Sequence, residues 1–336
     1  MWQMYLMTFF IILIMSSLIA ISASSWIISW VGLEINLLAF MPLMSYMNTK
    51  NSAEATIKYF LVQAMASSMF LFMSMFYSKF YMTNFFVMNT GSIMICLTLM
   101  LKMGAAPFHY WLPEVMSGSS WKVNILILSW QKLAPMMIIY NLSMNVLIMS
   151  IIIYISTIIS GIQGLNQTCL KKIMAYSSIN HTSWMIAAMM NSLMLWEFYF
   201  IVYFLINYIL FFILNKFNIK NISQMSKLFN KNKLMKMLFM LSFLNLGGLP
   251  PFLGFLPKWL VTMDLVDTKF ILLAILLIIF TLMTLYFYIR ITMSTFMINS
   301  KESLVNYFNK VEYLYIMVSV LSLMSLSICT LVTNFI

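Results

Sequence analysis

This sequence predicts an all-α polytopic membrane protein with about eleven transmembrane helices. Three observations carry that prediction. The 336 residues are 63% hydrophobic and 8% charged, with a mean hydropathy of +0.95. Soluble domains run at roughly 45–50% and 25%, and no soluble fold hides so much apolar surface. Apolar stretches near the ~20 residues needed to cross a bilayer recur along the whole chain. The lysines behind the net charge of +11 gather in the short connections. That placement sets topology and does not indicate a nucleic-acid partner.

The apolar segments run at about 1–21, 25–47, 53–77, 85–105, 123–143, 146–165, 172–190, 195–215, 236–258, 268–292 and 313–335. Short connections make neighbours antiparallel. The longest polar connection, 216–236, holds six lysines and no acid. If it lies inside, alternation puts Lys50, Lys122, Lys171, Lys172, Lys301 and Lys310 on the same side. Only Lys79 and Lys269 fall opposite, with Glu197, Asp264 and Asp267. The asymmetry predicts an inside N-terminus and an outside C-terminus.

Two segments are interrupted. The fourth runs into Gly104, Pro107 and His109, and the ninth contains Gly247, Gly248, Pro250 and Pro251. Proline removes a donor and clashes with the preceding turn, while glycine loosens the backbone. Broken helices persist at membrane depth only where protein or a watery cavity satisfies the freed groups. The breaks fall on the fourth span of each set of five. The expected organisation is therefore two inverted five-helix repeats with discontinuous fourth and ninth helices. Residues 1–145 form the first repeat and 146–292 the second. Residues 293–336 supply an inside loop and the final helix. Matching broken helices in inverted halves point to an ion pathway.

Four ionisable residues stand inside apolar stretches: Glu34, Lys102, Lys132 and Lys258. A charge at bilayer depth costs roughly 2.5–3.5 kcal/mol on insertion scales. Desolvation disfavours a buried ammonium and a nearby carboxylate restores it, so such a lysine holds or releases a proton according to its neighbour. Arginine does not, and only Arg290 is present against eighteen lysines. Static ion pairs are the competing reading, but Glu34 can neutralise only one of three lysines. Lys58 follows Glu54 by four residues and can pair with it along one helix face. It either joins the relay or snorkels to the interface. His109 lies just past the first break, and His181 sits among Ser177, Ser178, Asn180, Thr182 and Ser183. Histidine titrates near neutrality and suits a proton relay. A structural, hydrogen-bonded role is the alternative for both.

The chain shows no GxGxxG, no Walker loop, no haem-type histidine pair and no metal-ligand spacing. Cys96, Cys169 and Cys329 are far apart and read as small apolar fillers. No means of holding NADH, flavin, nucleotide or an iron–sulfur centre is visible. The 36 methionines and scarce arginine suit an AT-rich gene in a code with an extra Met codon, as in mitochondria. No basic cleavable presequence precedes the first span, so synthesis inside the compartment or insertion through the first helix is expected.

These residues carry a resemblance. Ala55-Thr-Ile-Lys-Tyr-Phe-Leu61, Leu101-Lys-Met-Gly-Ala-Ala-Pro-Phe-His-Tyr-Trp-Leu-Pro-Glu114, Ser129-Trp-Gln-Lys-Leu-Ala-Pro135, Lys172-Ile-Met-Ala-Tyr-Ser-Ser178 and Leu246-Gly-Gly-Leu-Pro-Pro-Phe-Leu-Gly-Phe-Leu-Pro-Lys258 span most of the chain. The sequence closely resembles the subunit 2 family of NADH dehydrogenase, the mitochondrially encoded antiporter-like subunits of the complex I membrane arm. The second and last segments are the most specific. The resemblance implies a proton-translocating module of the mitochondrial inner membrane, with its N-terminus on the matrix side and its C-terminus toward the intermembrane space. It implies no redox centre here, with NADH, FMN, iron–sulfur clusters and ubiquinone held by partner subunits. Glu34 matches the family's buried glutamate and Lys102 its partner lysine beside the first break. Lys132 matches the central-axis lysine, Lys258 the terminal one, and Lys58 a further lysine. Expected partners are other membrane-arm subunits and inner-membrane phospholipids, cardiolipin near the basic loops among them. Eleven spans, against the family's common fourteen, resemble the short animal form. Rival readings are a free-standing cation/proton antiporter, an inert structural subunit and a proton channel.

Overall fold

Backbone groups in a bilayer must bond within their own segment, so an apolar chain of this kind is driven into helices. The computed structural model describes residues 2–46, 49–80, 85–142, 146–224 and 233–296. The expected span 313–335 and Lys227, Lys231, Lys301 and Lys310 lie outside the described residues. In chain order the helices are α1 (Trp2–Ser22), α2 (Trp26–Ser45), α3 (Lys50–Phe80), α4 (Phe85–Met103), α5 (Trp111–Gly118), α6 (Trp121–Leu128), α7 (Trp130–Asn141), α8 (Val146–Leu165), α9 (Leu170–Asn191), α10 (Leu193–Phe217), α11 (Lys233–Gly247), α12 (Phe255–Asp267) and α13 (Ile271–Phe296). Among the described residues the only β-type pairing is one bridge between Cys169 and Asn221.

Among the described residues, seven helices are long and apolar enough to cross a membrane: α1, α2, α3, the combined α6–α7, α8, α10 and α13. Two shorter apolar helices, α4 and α11, carry the expected fourth and ninth segments. The expected seventh segment is α9, which spans 22 residues and is buried along nearly all of them. Its polar side chains lower its mean hydropathy, and burial in protein makes that polarity tolerable.

Contacts divide the chain into two units, Met1–Ser156 and Thr157–Ile336. In the first, α2 packs on α1 and α3, α3 on α4 and α5, and α7 on α1, α4 and α6. A side chain at Gly32 would put its Cβ 2.8 Å from the Ala20 backbone nitrogen, so α1 and α2 meet closely there. Ser25 caps α2 by accepting a hydrogen bond from the Ile28 N–H at 3.4 Å. In the second unit, α9 packs on α10, α12 and α13, and α11 on α10 and α13. Arg290, on α13, donates to the carbonyls of Leu165 at 2.6 Å and Gln167 at 2.8 Å. It closes the C-terminal end of α8, where carbonyls lack helical partners.

Both expected breaks are present. The chain leaves α4 through Gly104 at φ +71° and leaves α11 through Gly248 at φ +75°. That backbone region penalises any residue with a Cβ. Pro113 and Pro257 each occupy the third position of the helix that resumes, where a missing N–H costs no intrahelical bond. The resumed helix α12 continues to Asp267, well past the expected end at 258.

A third interruption was not expected. The fifth segment is two helices, α6 and α7, parted at Ser129. Pro135 removes the donor that would bond the Gln131 carbonyl. The Ser129 hydroxyl donates back to Ile125 O at 2.6 Å, a local bond that competes with helix continuation. Lys132 therefore lies in the first turn of α7 rather than mid-helix.

Candidate functional site

Every buried lysine singled out from the sequence lies beside a helix interruption. Lys102 sits in the last turn of α4, Lys132 in the first turn of α7 and Lys258 in the first turn of α12. Their exposures are 6%, 1% and 7%. At a helix end, backbone groups lack intrahelical partners and carry partial charge. An ammonium is favoured by the free carbonyls of a C-terminal end and not by the free N–H groups of an N-terminal end, so Lys132 and Lys258 must look beyond their own first turns for acceptors.

In the first unit, Glu34 and Lys102 come within electrostatic reach of one another. No ion pair joins them among the described residues, and Glu34 Oε2 is buried without a hydrogen-bond partner. The Lys102 carbonyl accepts from Gln63 Nε2 at 3.0 Å, and the Leu101 carbonyl from Trp111 Nε1 at 3.1 Å. Neutral donors therefore satisfy the end of α4.

Two residues along α2 from Glu34, Asn36 exchanges hydrogen bonds with Gln131 of α7 through both amides, at 2.9 and 3.2 Å. Tyr59 adds its hydroxyl to Gln131 Oε1 at 3.4 Å. This junction ties α2, α3 and α7 together one residue from Lys132 and two from Glu34. Sequence reasoning missed it, because the partners are 95 positions apart. Asn36 and Gln131 each flank a buried charge, and that position was the available signal.

In the second unit, Lys258 Nζ donates to the carbonyls of Gly247 at 3.0 Å and Leu246 at 3.4 Å. It thus reaches back across the break to the C-terminal end of α11. Asn245 Oδ1 accepts from the Gly254 N–H at 2.7 Å and pins the intervening loop. His181 is buried, its Nδ1 lying 2.9 Å from the Tyr199 hydroxyl and its ring against Tyr203. A cavity of about 10 Å³ is lined by His181, Tyr199, Tyr203, Asn245 and Gly254. It is about the size of one water molecule's reach. The hydroxyls of Ser177, Ser178, Thr182 and Ser183 each donate to the carbonyl three residues earlier in α9.

His109 lies within the first break, buried, with Nδ1 3.1 Å from the Pro107 carbonyl. Lys58 is different from the other lysines. It is half-exposed and bonded on two sides, to Glu54 at 2.7 Å and to Glu114 at 2.8 Å. The spacing of Glu54 and Lys58 foretold the first bond. Glu114, on α5, was the missed partner.

Residues 23–284 match the family described as NADH:quinone oxidoreductase/Mrp antiporter, TM. The NADH-ubiquinone oxidoreductase chain 2 of Anopheles gambiae is 46% identical over 299 residues, covering 88% of this chain and 87% of that one. This chain belongs to the NADH-ubiquinone oxidoreductase chain 2 family. The Locusta migratoria member of the chain 2 family is 42% identical over 95% of this chain and 94% of its own length. Among solved structures, respiratory complex I from Thermus thermophilus contains a chain superposing with a TM-score of 0.84. At 22% identity, over 96% of this chain and 78% of that one, the match shows the shared antiporter-like fold. The chain 2 fold is thus that of an apolar, all-helical membrane subunit.

Proposed function

We propose that this chain translocates protons as an antiporter-like core subunit of the membrane arm of NADH:ubiquinone oxidoreductase, complex I. The observation that carries the reading is the placement of Lys102, Lys132 and Lys258, all buried and each at a helix break. The half-buried carboxylate of Glu34 stands within electrostatic reach of Lys102. Lys258 is held by the backbone carbonyls of Leu246 and Gly247, a setting in which an ammonium can exchange its proton without a fixed carboxylate.

In this reading Glu34 holds the protonated Lys102. When the pair separates, the ammonium loses its counter-charge and the proton moves on toward Lys132 and then Lys258. His181 and His109 order or pass protons at the second and first breaks. Moving one charge against ~150 mV costs about 3.5 kcal/mol. Quinone reduction in partner subunits supplies that energy. Those partners hold NADH, FMN, the iron–sulfur clusters and ubiquinone, and this chain holds no redox group. The family membership and the buried charges support the reading.

The finer architecture belongs to the same proposal. Eleven spans form two inverted five-helix repeats, 1–145 and 146–292, with 293–336 completing the chain. The protein sits in the mitochondrial inner membrane with its N-terminus in the matrix and its C-terminus toward the intermembrane space. Other membrane-arm subunits and inner-membrane phospholipids, including cardiolipin at the basic loops, surround it.

The test is Lys132→Met in the assembled complex, with electrons and protons counted together. A fall in protons moved per electron pair is expected. An unchanged ratio would favour a subunit that anchors its neighbours and moves nothing. A second reading, a free-standing cation/proton antiporter, draws support from the Mrp antiporters in the matched family. Sodium-for-proton exchange by the isolated chain in liposomes would favour it.

A further inference from the structure

The exposed ion triad of Lys58, Glu54 and Glu114 is not explained by proton transfer. We propose that Lys58 and Glu114 are positioning residues: their bond ties the resumed helix α5 to α3, and so holds the first break in the shape that the relay uses. The proposal rests on the proton-translocation reading for its purpose and on geometry for its substance.

Four contacts place α5 against α3. Lys58 Nζ reaches Glu114 Oε2 at 2.8 Å. Tyr59 meets Trp111 edge-on, with ring centroids 5.9 Å apart. A Cβ on Gly118 would stand 2.6 Å from the Asn51 carbonyl oxygen and 2.9 Å from Ala55 Cβ. Gln63, one further turn along α3, donates to the Lys102 carbonyl on the other side of the break. A single helix, α3, therefore holds both ends of the interruption. Trp111 closes the arrangement by donating across the break to Leu101 O. Lys58 is the charged element of this strap, and Glu54 orients it from one turn earlier on the same helix, at 2.7 Å. A proton carrier must gain and lose its partners in turn. Lys58 is engaged by two carboxylates, and the second belongs to the element being held.

The discriminating substitution is Lys58→Arg. Arginine keeps the ion pair and does not give up its proton at physiological pH. A tie survives this change and a carrier does not. In the assembled complex, Lys58→Met and Glu114→Gln should each raise hydrogen–deuterium exchange of residues 111–118. The rise should be about two- to five-fold, the range that an exposed ion pair supports. Both should also lower the protons moved per electron pair. Lys58→Arg should leave both quantities near wild type, and Glu54→Gln should move exchange least. Loss of pumping in Lys58→Arg equal to that in Lys58→Met overturns the proposal, because it makes Lys58 a carrier. Unchanged exchange in both Lys58→Met and Glu114→Gln overturns it too. Exchange that responds in a complex where Lys132→Met pumps normally leaves the tie standing and removes the relay.

Discussion

The two glycine–proline breaks look alike in sequence and are wired differently. At the first, the lysine stands on the helix that ends, and neutral donors from Gln63 and Trp111 occupy the last carbonyls of α4. At the second, the lysine stands on the helix that resumes and itself occupies the last carbonyls of α11. The first break thus holds its shape without its cation, while Lys258 is part of the structure it would serve. The lesson is that one backbone device can leave a charge mobile or recruit it as a fastener. What decides is which side of the gap carries the ammonium.

Four substitutions sharpen or break that comparison. Gly254→Ala should have the largest effect. Its new Cβ would run into the Asn245 carbonyl oxygen, and backbone cannot yield as a side chain does. The subunit should fail to accumulate, which native gel electrophoresis of the membrane complex would reveal. An assembled complex at normal abundance would show that the loop after α11 is not pinned as described. Next is Lys258→Met, which strands two buried carbonyls at about 1–3 kcal/mol each. Lower thermal resistance of the complex should accompany the loss of proton transfer, and the two readouts should fall together.

A smaller loss is expected from Gln63→Leu. It frees one carbonyl, that of Lys102, at about 1–3 kcal/mol, and should reduce the melting temperature less than Lys258→Met does. The smallest change in stability should come from Lys102→Met. No backbone acceptor depends on that ammonium, and it stands within electrostatic reach of Glu34 without forming an ion pair, so its removal breaks no bond of the structure. Proton transfer should fall with the melting temperature unchanged. Equal destabilisation by Lys102→Met and Lys258→Met would erase the difference between the two breaks.

Local signals made much of this arrangement readable in advance. Gly104, Gly248 and their neighbouring prolines marked the breaks because each acts on its own backbone. Glu54 and Lys58 declared their bond because a helix turn brings four-residue neighbours together. The ionisable residues stood out against the apolar background. What stayed hidden depends on distance along the chain. Glu114 reaches Lys58, and Gln131 meets Asn36, only once several helices have packed. No periodicity within either helix encodes that encounter. The interruption at Ser129 was within reach of the sequence, since Pro135 lies four positions beyond the Gln131 carbonyl it deprives of a donor. An apolar run on both sides concealed it. The polar stretch around His181 was visible, but its hydroxyls turn back onto their own helix, and spacing alone does not report that.

Arg290 invites a last thought about permanence. Eighteen lysines and one arginine make up the basic side chains, and the arginine clasps the end of α8. A guanidinium stays cationic across every pH that a mitochondrion visits. That corner of the second unit therefore keeps its charge whatever the protonation of the lysines, a rivet beside groups that can titrate. Exchanging it for lysine would keep the formal sign while surrendering the planar fork that grips two oxygens at once.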